Sequence, residues 1–201
     1  MPVIEVRAVW DDLLSLHGEL GSPLPDCLNP AATEAQLHAV EDRFGLELPE
    51  QLRSLYGIAN GVDEKEWAKA ARASAELVPG SGAFVSAATA WERTTELRTT
   101  ADRGGVVSLD GDVDMTTLWR PEWFAAFPVG PGNVVAVDAS SGALLWVWWE
   151  AVQVEPVADS VAGFVSAATA YLRALGCRWE ASMGRFDVDF DRDEALGGFP
   201  Q

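Results

Sequence analysis

The chain is predicted to fold as a single α+β domain, in which helices fill the first half, strands the middle and one further helix closes the sequence. Three observations predict this. Apolar residues recur at helical spacing up to about residue 60, turn signals separate short Trp-rich and Val-rich runs between residues 119 and 158, and a long apolar helical pattern follows. The chain has 201 residues, 48% of them hydrophobic, which suits one domain with a proper core.

The elements follow in order. "VWDDLLSLHGELG" puts Trp10, Leu13, Leu14 and His17 on one side of a helix that Gly18 and Gly21 close, so His17 reads as a residue of the core edge. In "NPAATEAQLHAVEDRFGLELPEQL", Thr33 is an N-cap with Gln36 three residues on. Leu37, Val40 and Phe44 then share a face, Gly45 stops the helix, and His38 falls off the apolar face into solvent. Pro49 sits at the first position of a new helix whose Leu52, Leu55 and Tyr56 point inward, and Asn60-Gly61 reverses the chain. The Ala-rich stretch after it predicts an inserted helix near Asp63 to Leu77.

"FVSAATA" occurs twice, at Phe84 to Ala90 and at Phe164 to Ala170. The flanks differ, since "PGSGA" is a turn and "ADSVAG" opens a helix, so the two copies are read as a coincidence. The first is expected to pass from extended chain into a helix near Ser86, the second to lie wholly inside a helix. Trp146 and Trp148 share one face of a strand and Trp149 points to the other. Near the end, Phe186, Val188 and Phe190 alternate with Asp187, Asp189 and Asp191, which predicts an edge strand, with disorder after Glu194.

Charge narrows the function. With 14 basic against 31 acidic residues the formal net charge is −17 and the isoelectric point about 4.3. A field of that sign repels nucleic acid and anionic membrane and favours encounter with a basic protein. No run of about 18 apolar residues occurs and the N-terminus lacks the pattern of a secretion signal, so a cytoplasmic location is expected. Cys27 and Cys177 read as two reduced thiols, and with only His17 and His38 beside them they exclude a structural zinc site.

No catalytic constellation appears. Neither histidine stands beside a nucleophile, the Gly-Ser-Gly at Gly80 to Gly82 is not a nucleophile elbow, and no phosphate-binding glycine loop is present. Asp110, Asp112 and Asp114 fall at positions 1, 3 and 5 of a calcium loop, but Met115 replaces the turn glycine and Pro121 the final Glu, so an acidic turn is expected instead of a metal site. No enzyme activity, metal or cofactor is therefore expected. Trp119 and Trp123 flank Arg120, Pro121 and Glu122 just after those aspartates, an arrangement of aromatic anchors rimmed by charge. The expected partner-binding set is Asp110, Asp112, Asp114, Trp119 and Glu122, with Trp123 read as a packing residue of the sheet.

The order of Gly45, Leu48, Pro49, Leu52, Leu55, Tyr56, Asn60 and Gly61 resembles a signature of the SUKH superfamily, the SMI/KNR-type cell-wall-regulator and immunity-protein fold, whose pattern runs G-x-x-L-P-x-x-[YL]-x-x-[LF]-[YL]-x-x-x-N-G. The later strands and Ala158-Asp159-Ser160 agree with it more loosely. The resemblance implies N-terminal helices packed against a mostly antiparallel central sheet, with a closing C-terminal helix. It divides the chain into an N-terminal helix and linker at 1–28, a SUKH-like domain at 29–176 with its insertion at about 63–77, and an acidic extension at 177–201. It also implies a non-catalytic immunity protein that binds and neutralises a cognate toxin, a nuclease or other nucleic-acid-modifying domain with a basic surface. The alternative is a regulatory scaffold of the same fold that binds an endogenous protein. Oligomeric state has no signature in the sequence.

Overall fold

The computed structural model describes residues 5–71, 76–103, 106–108, 111–113, 118–130, 132–149, 151–197 and 199. Helix α1 (Val6–Glu19) buries Val6, Trp10, Leu13, Leu16 and His17, and a short 3-10 turn (Leu24–Cys27) leads on from it. Helix α2 (Glu34–Phe44) starts at the expected capping box, in which the Thr33 hydroxyl accepts from the Gln36 amide and the Gln36 side chain accepts from the Thr33 amide. It ends at Gly45, whose φ of 78° is left-handed. Helix α3 (Glu50–Tyr56) begins one residue later than expected, with Pro49 as its N-cap, and fully buries Leu52, Leu55 and Tyr56.

The inserted helix is shorter than expected. Helix α4 (Glu64–Ala70) is capped by the Asp63 carboxylate, which accepts from the Lys65 and Glu66 amides, and Ala71 turns extended at φ −137°. Residues 72–75 fall outside the described residues. Beyond them Glu76 bridges to Ala83, and Leu77 and Val78 are buried, so the segment spends its apolar residues on the core rather than on another turn of helix.

Helix α5 (Ala87–Asp102) is capped by Ser86, where the first "FVSAATA" copy was expected to turn helical. A hairpin of β1 (Val106–Ser108) and β2 (Gly111–Val113) follows. The main sheet comprises β3 (Trp123–Val129), β4 (Asn133–Asp138), β5 (Leu144–Trp148) and β6 (Gln153–Ala158), in that order and with every neighbour antiparallel. Helix α6 (Val161–Leu175) contains the whole second copy, and β7 (Arg178–Glu180), β8 (Arg185–Asp187) and α7 (Phe190–Leu196) complete the chain.

Both faces of the sheet are covered. Val135 and Val137 of β4 face a large core with Trp10, Tyr56, Phe84, Phe127 and Phe164, while Val134 and Ala136 face a smaller one with Leu97, Leu118, Trp119, Trp123 and Trp149. Trp146 and Trp148 stack at 5.1 Å on the large-core side and Trp149 lies on the other, as the alternation requires. Phe84 and Phe164, the first residues of the two repeats, both pack on Phe127, with centroids 6.1 and 5.0 Å away.

Helix α5 contributes to both cores and packs on β3. The ladder between β3 and β4 shifts register between Phe124 and Phe127, and the buried Thr94 hydroxyl accepts from the Ala125 amide at 2.9 Å while donating to the Ala90 carbonyl. The helix thus supplies the acceptor that the irregular strand requires.

Asn60-Gly61 does more than reverse the chain. The Asn60 Oδ1 accepts from the Ala87 amide at 3.0 Å, and the Val62 amide donates to the Phe84 carbonyl at 2.9 Å. Between these bonds Gly61 lies so near the chain that a Cβ there would stand 2.3 Å from the Ser86 nitrogen. His17 is wholly buried rather than at the core edge: its Nε2 donates to the Leu77 carbonyl at 2.7 Å and its Nδ1 accepts from the Ser22 hydroxyl at 2.9 Å. Desolvation lowers its pKa to about 4, so the ring is neutral and ties α1 to the segment before α5.

The tail corrects two expectations. The period-two pattern yields a strand only to Asp187, because the Asp189 carboxylate accepts from the Asp191 and Arg192 amides and starts a helix there. Past Glu194 the chain returns to the core, where Phe199 packs edge-on against Phe164 at 5.6 Å and Tyr171 at 5.4 Å. Its apolar area outweighs the tail's acidity.

Candidate interaction surface

The five-residue step between α2 and α3, from Gly45 to Pro49, carries Leu46 and Glu47. Leu48 is buried and Pro49 half-buried, so the backbone is anchored there, and the intervening and following side chains Leu46, Glu47 and Glu50 are left outside. Beneath them Glu41 is nine-tenths buried. Its Oε1 accepts from the Leu48 amide at 3.2 Å and from Arg53 at 2.5 Å, its Oε2 from His38 at 3.1 Å, and Arg53 also reaches Glu34. Burial opposes ionisation of Glu41, but the Arg53 guanidinium, the Leu48 amide and His38 outweigh it and hold the carboxyl below its usual range. His38 itself is exposed, as expected.

An open cleft of about 670 Å³ lies over this network, lined by Asp42, Leu46, Glu47 and Glu50 among others. A second cleft, of about 460 Å³, shares Glu50 with it and runs on past Pro49 to Ser140, Ser141 and Asp159. The turn between β4 and β5 forms its far wall, where Asp138 accepts from the Ser140 hydroxyl and from the Ser140 and Ser141 amides; against the cost of burial, those donors hold its carboxyl low. Gln51 caps α6 by accepting from the Ala162 amide, which joins α3 to the start of that helix. The two clefts form one trough.

Among the described residues, the sequence-derived contact set meets this cleft-bearing region at Glu122. The Glu122 carbonyl accepts from the Ala139 amide at 2.9 Å, and Glu122 is half-buried beside the β4–β5 turn. Trp119 is buried, with 4% of its surface exposed, and meets Trp123 edge-on at 5.8 Å, so its ring belongs to the smaller core. Asp112 stands in β2, and Asp110 and Asp114 lie outside the described residues. Arg98 fastens the segment: its guanidinium lies 4.6 Å from the Phe44 ring centre and donates to the carbonyls of Phe44 and Pro121. Sequence reasoning missed Asp42, Glu47, Glu50 and Asp159. An exposed Leu beside acids in a short interhelical step was a readable signal for the first three, whereas Asp159 arrives from more than 100 residues away through the tertiary fold.

Among the described residues no group of three His, Cys, Asp or Glu side chains is placed to hold a metal ion, and no helix is long and apolar enough to cross a membrane. Fold and surface together define an α+β protein with two open clefts lined by acidic side chains. Residues 31–167 match the model of the SMI1 / KNR4 family (SUKH-1), and the chain belongs to that family. Membership carries the coarse functional reading, an immunity or SMI1-like protein. A search of curated proteins finds no match.

Proposed function

We propose that the protein is a cytoplasmic immunity protein that binds a cognate toxin and blocks it, the toxin being a nuclease or other nucleic-acid-modifying domain with a basic substrate groove. The observation that carries this reading is the surplus of negative charge in a member of a family of immunity and regulatory proteins. An acidic surface placed over a basic groove competes with the phosphate backbone for the same cations, so neutralisation needs no chemistry from the antidote. Within the expected contact set, Asp110, Asp112, Asp114 and Glu122 supply charge, and Trp119 supports the segment that presents Glu122.

Coexpression with the product of the adjacent gene tests the reading. The neighbour is expected to be lethal alone and harmless with this protein, with an association rate that falls about tenfold or more as salt screens the steering field. A harmless neighbour that this protein nevertheless binds supports the regulatory scaffold instead, and an association rate indifferent to salt removes electrostatic steering from the mechanism.

A further inference from the structure

We infer that the trough between α2, α3 and the β4–β5 turn is the docking site for an arginine-bearing segment of the protein partner. Three observations converge on it. The surface is concave, with two clefts that share Glu50. Leu46, one of only three large hydrophobic side chains exposed among the described residues, opens into it with 43% of its surface free. Finally, the trough keeps its negative charge. Asp42, Glu47, Glu50 and Asp159 enter no ion pair among the described residues. Arg53, the cation in the trough lining, is already committed to Glu34 and Glu41.

Repulsion among unneutralised carboxylates gathered on one concave face costs stability, and a cationic partner removes that cost. The exposed Leu46 beside them selects the kind of cation. An arginine side chain lays its methylene stem on an apolar patch and forks its guanidinium onto carboxylates, which a lysine ammonium does less well. Leu46 and the half-buried Pro49 are the apolar floor, and Glu47, Glu50 and Asp159 are the acceptors along the rim. The partner's identity as a toxin rests on the reading above; the site and its chemistry are tested apart from it.

The test is an amide NMR titration of the full chain with capped hexa-arginine, with hexa-citrulline as the uncharged control. Shifts are expected to concentrate at residues 46–50, 140–142 and 159, and Glu47→Lys with Glu50→Lys is expected to weaken binding about tenfold, while the charge-matched pair Glu19→Lys with Glu92→Lys on α1 and α5 leaves the shifted residues unchanged. Shifts spread over α1 and α5, or equal losses from both double variants, overturn the site. The coexpression assay separates the two claims. A toxin still neutralised by the Glu47→Lys, Glu50→Lys variant overturns the trough and leaves the immunity reading standing. Localised peptide binding without a toxic neighbour does the reverse.

Discussion

Gly61→Ala is expected to cost far more than Gly45→Ala, although the two glycines share one backbone conformation, with φ of +76° and +78°. An L-residue in the left-handed region costs about 1–2 kcal/mol, and at Gly45 that is the whole penalty because nothing lies within 4 Å of the added methyl. At Gly61 the methyl meets the Val85 carbon and the Ser86 nitrogen at 2.3 Å and the Val85 oxygen at 2.7 Å, all of them backbone atoms that no rotamer change removes. The crossing must open, which stretches the Asn60–Ala87 and Val62–Phe84 hydrogen bonds on either side. Two weakened bonds at about 1 kcal/mol each, with overpacking of about 1–3 kcal/mol, bring the excess over Gly45→Ala to at least about 3 kcal/mol. For a chain of this size each kcal/mol moves Tm by about 2–4 °C, so Gly61→Ala is expected at least about 6 °C below Gly45→Ala in thermal unfolding followed by circular dichroism. Equal midpoints for the two variants, repeated in urea, would show that the crossing is loose and that the Asn-Gly step is only a turn.

His17 binds no proton when buried, so its folded pKa of about 4 lies below the unfolded 6.5, and stability is full above pH 6.5 and falls as pH drops towards 4. The span amounts to about 3 kcal/mol; His17→Gln is expected to flatten the pH dependence of the urea midpoint in that window, and an unchanged slope refutes the neutral buried ring. Thr94→Val leaves the Ala125 amide without its acceptor and is expected to cost about 1–3 kcal/mol, against a near-neutral Thr95→Val on the exposed side of the same helix. Phe199→Ala is expected to cost about 3 kcal/mol by emptying the contact with Phe164 and Tyr171, and a loss below about 0.5 kcal/mol would mean that the tail does not dock.

What the sequence revealed and what it hid divide along physical lines. Local rules carried the capping box at Thr33, the glycine stop at Gly45, the inward faces of α2 and α3, the helix start at Ser86 and the facing of Trp146, Trp148 and Trp149, because each depends on neighbours within a turn or a pleat. Expectations departed from the structure where distant contacts decided. Leu77, the expected end of the inserted helix, is drawn into the core, Phe199 packs against Phe164 and Tyr171 of α6, and His17 is buried with a partner 60 residues away. Trp119 has the composition of an interface anchor, and only its place in the smaller core with Leu97, Val147 and Trp149 shows its ring turned inward. The trough needed three separated segments to meet, so its acids looked like ordinary solvated charge.

The residues that carry the family pattern and the residues that face the trough are interleaved, and the interleaving has a consequence. Leu48, Leu52, Leu55 and Tyr56 are buried, and Gly45 and Gly61 hold left-handed turns, so the named positions of the pattern build the frame. Among the positions it leaves open, Leu46, Glu47 and Glu50 are exposed. One frame can therefore present different contact chemistry with no loss of stability, which is how a fold separates from its specificity. Glu47 lies outside both helices and makes no ion pair among the described residues, while Asp42 and Glu50 line the same cleft. Glu47→Lys exchanges repulsion for attraction there and is expected to leave stability unchanged or raise it by up to about 0.5 kcal/mol while it weakens partner binding. A loss above about 1 kcal/mol would place Glu47 among the framework residues and remove the division between frame and surface.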